Sequence, residues 1–190
     1  AAAALRMSEE RFRDAFNNAP IGVSLVDRDE HFTQVNQKMS DILGYSEAEL
    51  RKITIPAISH PDDYKVEARY KAEAKTGKID GFEMEKRYFH ANGHVVWGKL
   101  NISTLKDEAG NLQYFVGHLE DITERKKSEQ VQAALYRISE AAQTAENLEG
   151  LFAVIHQIIG QLMPARNFYV ALLDTESGLI RFPYYVDEFD

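Results

Sequence analysis

The chain has 190 residues, 44% of them hydrophobic and 27% charged, with a formal net charge of -8. That length accommodates one full domain and part of another, and the acidic balance argues against a nucleic-acid footprint, which would show as a basic patch. It contains no cysteine, which excludes disulfides, thiolate catalysis and cysteine-ligated metal or haem and fits a cytoplasmic protein. No apolar run approaches the roughly 20 residues that span a bilayer, and there is no signal-peptide pattern.

Residues 1–7, opening on "AAAA", are read as an added tag. Ser8 is placed to cap a helix whose apolar face is Phe12, Ala15, Phe16 and Ala19, and Pro20 ends it. "IGVSLVD" (21–27) and "HFTQVN" (31–36) flank a polar turn and predict a β-hairpin. A short helix carrying Met39, Ile42 and Leu43 stops at Gly44, and Ser46 with Glu49 forms a capping box for the next. "HPDDYKVEARYKAEAKTGK" (60–78) sets Pro61, Asp62 and Asp63 in the first turn of a longer helix. Three strand-like runs follow, 81–90, 94–105 and 111–122, joined by the turns "ANG" and "KDEAG". This order predicts an α+β domain on one antiparallel sheet, with helices over one face and a small interior pocket beneath them.

Beyond residue 122 the chain passes from strand to charged helix with no Gly or Pro between His118 and Glu149. A Gly-rich break would let the two elements move independently, so this junction suits transmission. Asp121 and Glu124 are placed to cap the helix. Val131, Leu135, Ile138 and Ala142 recur at heptad-like spacing, the stripe of a parallel dimer. A second helix (Leu151, Phe152, Ile155, Ile158, Ile159, Leu162), capped by Asn147 or Thr144, leads to two strands around "TESG".

"NAPIGVSLVDRDEHFTQVNQKMSDILGYSEAEL", "HPDDY", "EKRYFHANGHVVW" and "YFVGHLEDITERKKSE" together give residues 8–125 the pattern of an S-box PAS domain. The resemblance implies a five-stranded antiparallel sheet with helices over one face, serving as a sensory or dimerising module. Residues 131–190 are similar to the start of a GAF domain; 121–143 are read as a signalling-helix linker and 144–190 as a truncated GAF start. The chain is thus expected to be a piece of a bacterial signal-transduction protein, non-catalytic itself, relaying a signal to a histidine kinase or diguanylate cyclase.

Flavin photosensors of this fold use an adduct-forming cysteine, which is absent, and a Gln on the last strand where this chain has Leu119. Haem-binding members use an axial His on the long middle helix, and Tyr64 to Lys75 has none; His60, before Pro61, reads as a cap. The cofactor is therefore left unassigned. His90 and His94 flank the "ANG" turn, two ligands without a third, and no metal is expected. His156 is followed by Gln157 rather than an acid, which argues against a phosphoacceptor. Strand alternation and the family's orientation place Ser24, Val26, Met39, Ile42, Tyr88, Val96, Leu100, Phe115 and Leu119 on the pocket walls, either around a small ligand or filling a dry core. Asp121, Thr123 and Glu124 are the expected transmission residues. Phe12, Phe16, Val131, Leu135 and Ile138 are the expected homodimer contacts. Arg87 is expected to pair at the surface with Glu85, Asp80 or Glu120.

Overall fold

A computed structural model describes residues 2–188 of the protein. The chain divides into two compact units, residues 1–124 and 125–190. The first begins with α1 (Ala2–Asn17), followed by β1 (Gly22–Val26), β2 (Phe32–Val35), α2 (Gln37–Leu43), α3 (Glu47–Leu50), α4 (Ile55–Ile58), α5 (Pro61–Lys75), β3 (Gly81–Phe89), β4 (Val95–Lys106) and β5 (Leu112–Asp121). Helix α1 runs through Ser8 without interruption, so Ser8 is an interior residue and not the N-cap expected of it.

The five strands form one antiparallel sheet in the order β2-β1-β5-β4-β3. Strand β5 therefore lies at the centre, with Ser24 opposite Gly117 on one side and Leu100 opposite Leu119 on the other. Alternation along β4 and β5 turns Val96, Leu100, Ile102, Phe115 and Leu119 to the same buried face. Leu43 and Leu50 from the helices close over them, and each such side chain contributes roughly 1.5–3 kcal/mol of transfer free energy.

Local chemistry sets the helix boundaries. The Ser46 hydroxyl accepts from Glu49 N–H while the Glu49 carboxylate accepts from Ser46 N–H at 2.8 Å, the reciprocal capping box. Gly44 ends α2 at φ 77°, and its α-carbon lies so close to the His90 ring that an added Cβ would sit 2.1 Å from it. Asn36, fully buried, is the N-cap of α2 and more. Its Oδ1 accepts from Val23 N–H and Met39 N–H, both at 2.9 Å. Its Nδ2 donates to Phe16 O at 2.9 Å and Ile21 O at 3.0 Å, tying together the end of α1, β1 and α2.

The second unit contains most of α6 (Thr123–Thr144), then α7 (Leu148–Leu162) and an antiparallel pair, β6 (Phe168–Leu173) with β7 (Ile180–Val186). Asn147 caps α7, its Oδ1 accepting from Gly150 N–H at 2.8 Å. His156 ties α7 to this hairpin and to the loop before it, with Nε2 2.6 Å from Ala165 O, Nδ1 3.0 Å from Tyr184 Oη, and its ring stacked on Phe168. Among the described residues, no helix is long and apolar enough to cross a membrane.

Candidate functional site

The helices over the inner face of the sheet enclose a cavity of about 20 Å³. Such a volume holds about one water molecule. Ser24, Val26, Met39, Tyr88, Leu100, Phe115 and Leu119 all lie on its walls. Ile42 and Val96 do not; both are buried in the surrounding core.

Three further wall or near-wall residues were not anticipated. Glu67 and Lys71 on α5 and Lys86 on β3 are at most 2% exposed. Lys86 Nζ donates to the Ser59 hydroxyl at 2.6 Å and pairs with Glu67 Oε2. Glu67 Oε1 lies 2.8 Å from Lys71 Nζ, and Lys71 Nζ lies 3.1 Å from Glu30 Oε1. Tyr64 Oη completes the chain by donating to Glu30 Oε2 at 2.5 Å. Neither contact of Lys71 is angled as a hydrogen bond, so its attraction to the carboxylates is coulombic.

Burial alone would raise the Glu67 carboxyl, but Lys86 and Lys71 outweigh it and hold it below its ordinary range, while burial lowers the Lys86 ammonium against the opposing pull of Glu67. Burial first, then the bond to Glu30, pushes the Tyr64 hydroxyl well above its ordinary value and keeps it a donor. Tyr88 is likewise raised by burial, and its ring lies 4.3 Å from the Lys86 ammonium.

On the opposite face of the sheet, Phe12, Phe16, Val23, Leu25, Leu105 and His118 line an apolar groove of about 600 Å³ beside α1. Phe12 and Phe16 stack at 5.7 Å, and Phe12 remains exposed. Trp97 is not a wall of this groove; it lies under the Arg87 guanidinium, 5.5 Å from ring centre to Cζ. Arg87 makes a bidentate bond to Asp63 at 2.8 and 2.9 Å, a partner on α5 that the expected pairing with Glu85, Asp80 or Glu120 overlooked.

The strand-to-helix junction is fixed by Trp97. Its carbonyl accepts from Ile122 N–H at 2.9 Å and its N–H donates to Thr123 Oγ1 at 3.0 Å. Asp121 Oδ1 accepts from Thr123 N–H at 2.9 Å, and Glu124 stands in the first turn of α6. On α6, Val131 and Leu135 are exposed, whereas Ala134 is buried and Ile138 half-buried. The line of α6 that packs within the chain runs through Ala134 and Ile138 and leaves Val131 and Leu135 outward. His90 and His94 stack at 4.3 Å, which leaves their in-plane lone pairs without a common point for one ion.

The family model described as the PAS fold matches residues 10–122. The chain belongs to the PAS family. The PAS domain of a protein from Colwellia psychrerythraea shares the fold, with a TM-score of 0.56, 19% identity and coverage of 62% of this chain and 98% of that one. In sequence, this PAS chain is 37% identical over 128 residues to the probable diguanylate cyclase DgcE of Escherichia coli, covering 67% of this chain and 12% of that protein. It is 24% identical over 169 residues to the sensor histidine kinase TmoS of Ectopseudomonas mendocina, covering 86% of this chain and 17% of the kinase. The PAS chain therefore spans under a fifth of either relative.

Proposed function

We propose that this chain is a sensory module of a signal-transduction protein. A small ligand in the interior cavity, or a partner on the outer sheet face, biases the position of β5, and α6 carries that bias to an output domain, a diguanylate cyclase or a histidine kinase. The observation that carries this reading is the junction at Thr123, where both backbone groups of Trp97 pin the first residues after the central strand. A strand held in this way and continued as helix has no slack in which a displacement could dissipate; the mechanism is a shift between two populated arrangements. Asp121, Thr123 and Glu124 are its transmission residues.

The working form is a homodimer built on Phe12 and Phe16 beside the outer groove and on Val131, Leu135 and Ile138 along α6. In support, Phe12, Val131 and Leu135 are large apolar side chains left exposed. The second unit is the opening of a GAF domain: its order of two helices and a hairpin fits, and Leu173, Leu179 and Phe182 stand exposed as they would if further strands covered them. The reading is tested by inserting one residue after Lys127 in the full-length protein, which rotates everything beyond by about 100°. Output regulation is expected to be lost or inverted; unchanged regulation would sink the relay.

A second reading is favoured by the water-sized cavity: a dry core and constitutive dimerisation with no ligand. Native mass spectrometry of the purified chain separates the two. A small-molecule adduct present only under native conditions supports the sensor, and a bare dimer supports the interaction module.

A further inference from the structure

The buried ionic chain ends at a residue with unusual backbone geometry. Among the described residues Glu30 is the only non-glycine with positive φ, at 71°. Its turn is fixed on every side: Asp27 Oδ1 accepts from Asp29 N–H and His31 N–H, both at 2.9 Å, and Glu30 O accepts from Ile55 N–H at 3.1 Å. A strained residue persists where its surroundings over-determine it, and such positions concentrate at ligand clamps. From this surface turn the Glu30 carboxylate reaches inward to Lys71, whose side chain is only 3% exposed.

Lys71 occupies a special position. It is on the wall of the interior cavity and also on the floor of an outer cleft of about 340 Å³ lined by Arg28, Asp29, Glu30, Tyr64 and Lys75. Lys71 thus borders both spaces, with Glu30 on the cleft side. Charge balance decides what could replace it. With Glu30 in place, two buried ammoniums are matched by two carboxylates. If Glu30 swings outward, Lys71 and Lys86 share Glu67 alone, and an uncompensated positive charge remains in the core.

We infer that the Glu30 carboxylate is a tethered stand-in for a ligand, and that the interior takes a short-chain carboxylate whose head replaces Glu30 on Lys71. This inference rests on the sensory-cavity reading and adds the chemical class of the ligand. A carboxylate head restores the charge balance, which an alcohol or an amine does not. The tail faces Phe32, Met39, Leu43 and Ile55, all apolar walls of the cavity. Room for it comes from withdrawal of Glu30, which joins cavity to cleft, and from Met39, an unbranched and adaptable side chain.

Isothermal titration of the full 190-residue chain with butyrate, 1-butanol and butyramide tests this. Glu30→Gln removes the competing carboxylate while keeping its size, and its butyrate affinity is expected to be about tenfold higher than that of the wild type. Tyr64→Phe, which frees Glu30 from its second partner without removing any buried charge, is expected to tighten butyrate binding in the same direction by a smaller factor. Equal butyrate affinity in wild type and both variants overturns the inference. So does 1-butanol binding as tightly as butyrate, a result that leaves a ligand-binding cavity standing and removes only the carboxylate class. Failure of all three probes also overturns the inference, while the sensory reading is then decided separately by the native mass measurement.

Discussion

Lys86 and Glu67 form an ion pair with no effective solvent contact, the ammonium carried by β3 and the carboxylate by α5. It links the helical layer to the sheet, and its consequences are measurable. Lys86→Met leaves Glu67 with Lys71 as its remaining ammonium and is expected to cost about 3–5 kcal/mol in urea unfolding. The double variant Lys86→Met with Glu67→Leu is expected to recover most of that loss, since a buried pair replaced by apolar groups is often neutral or better. A double variant as unstable as the single one would show that the pair itself, not the orphaned charge, supplies the stability.

Acidification reports on the second link between α5 and the sheet. The bond from Arg87 holds the Asp63 carboxyl below its ordinary range. A carboxyl lowered on folding contributes stability that is present above its unfolded pKa and lost as pH falls through the folded one. The stability difference between wild type and Arg87→Gln is therefore expected to be full at pH 7 and to close below about pH 4. A difference independent of pH would assign the role of Arg87 to its stacking over Trp97 instead.

Two glycines of similar φ make a matched comparison. Gly44 and Gly77 have φ of 77° and 74°, but a Cβ at Gly77 meets nothing within 4 Å, whereas at Gly44 it would meet the His90 ring. Gly77→Ala is expected to cost about 1–2 kcal/mol, the penalty of the left-handed conformation alone. Gly44→Ala is expected to cost clearly more, with the excess removed by adding His90→Ala. Equal costs in chemical denaturation would contradict this account.

At the strand-to-helix junction, Thr123→Val removes the acceptor that Trp97 N–H uses while preserving side-chain shape. Amide hydrogen exchange at Trp97 is expected to quicken by up to about tenfold, matching the net worth of one hydrogen bond. Thr123→Ser, which keeps the hydroxyl, is expected to leave it unchanged.

Much of this architecture is legible in local sequence. The alternation of residues 94–105 and 111–122 identifies the two longest strands, and Ser46, Gly44 and Pro61 mark helix boundaries by chemistry that needs no tertiary partner. The charged interior was missed because α5 inverts the usual rule. Its apolar Val66 and Tyr70 are exposed, while Glu67, Lys71 and Ala74, four and three residues apart, face inward. Hydrophobicity alone would choose the side of that helix that is exposed. A signal was nonetheless present: Lys86 lies between Met84 and Tyr88 in strict alternation, so it had to share the inward face of Tyr88 and needed a buried counter-charge. Asn36 was invisible for another reason, because two of its four bonds are to backbone groups at Phe16 and Ile21 that only the folded chain brings within reach.

The unbroken α6 has a mechanical consequence. Its 22 residues make a helix about 33 Å long that starts where Trp97 bonds the chain. A tilt of about 10° at Thr123 would carry the far end through roughly 6 Å, more than the rise of one helical turn. Under the proposed relay, displacements at the strand too small to rearrange its own ladder would become steps large enough to change which residues meet at the far end of the helix.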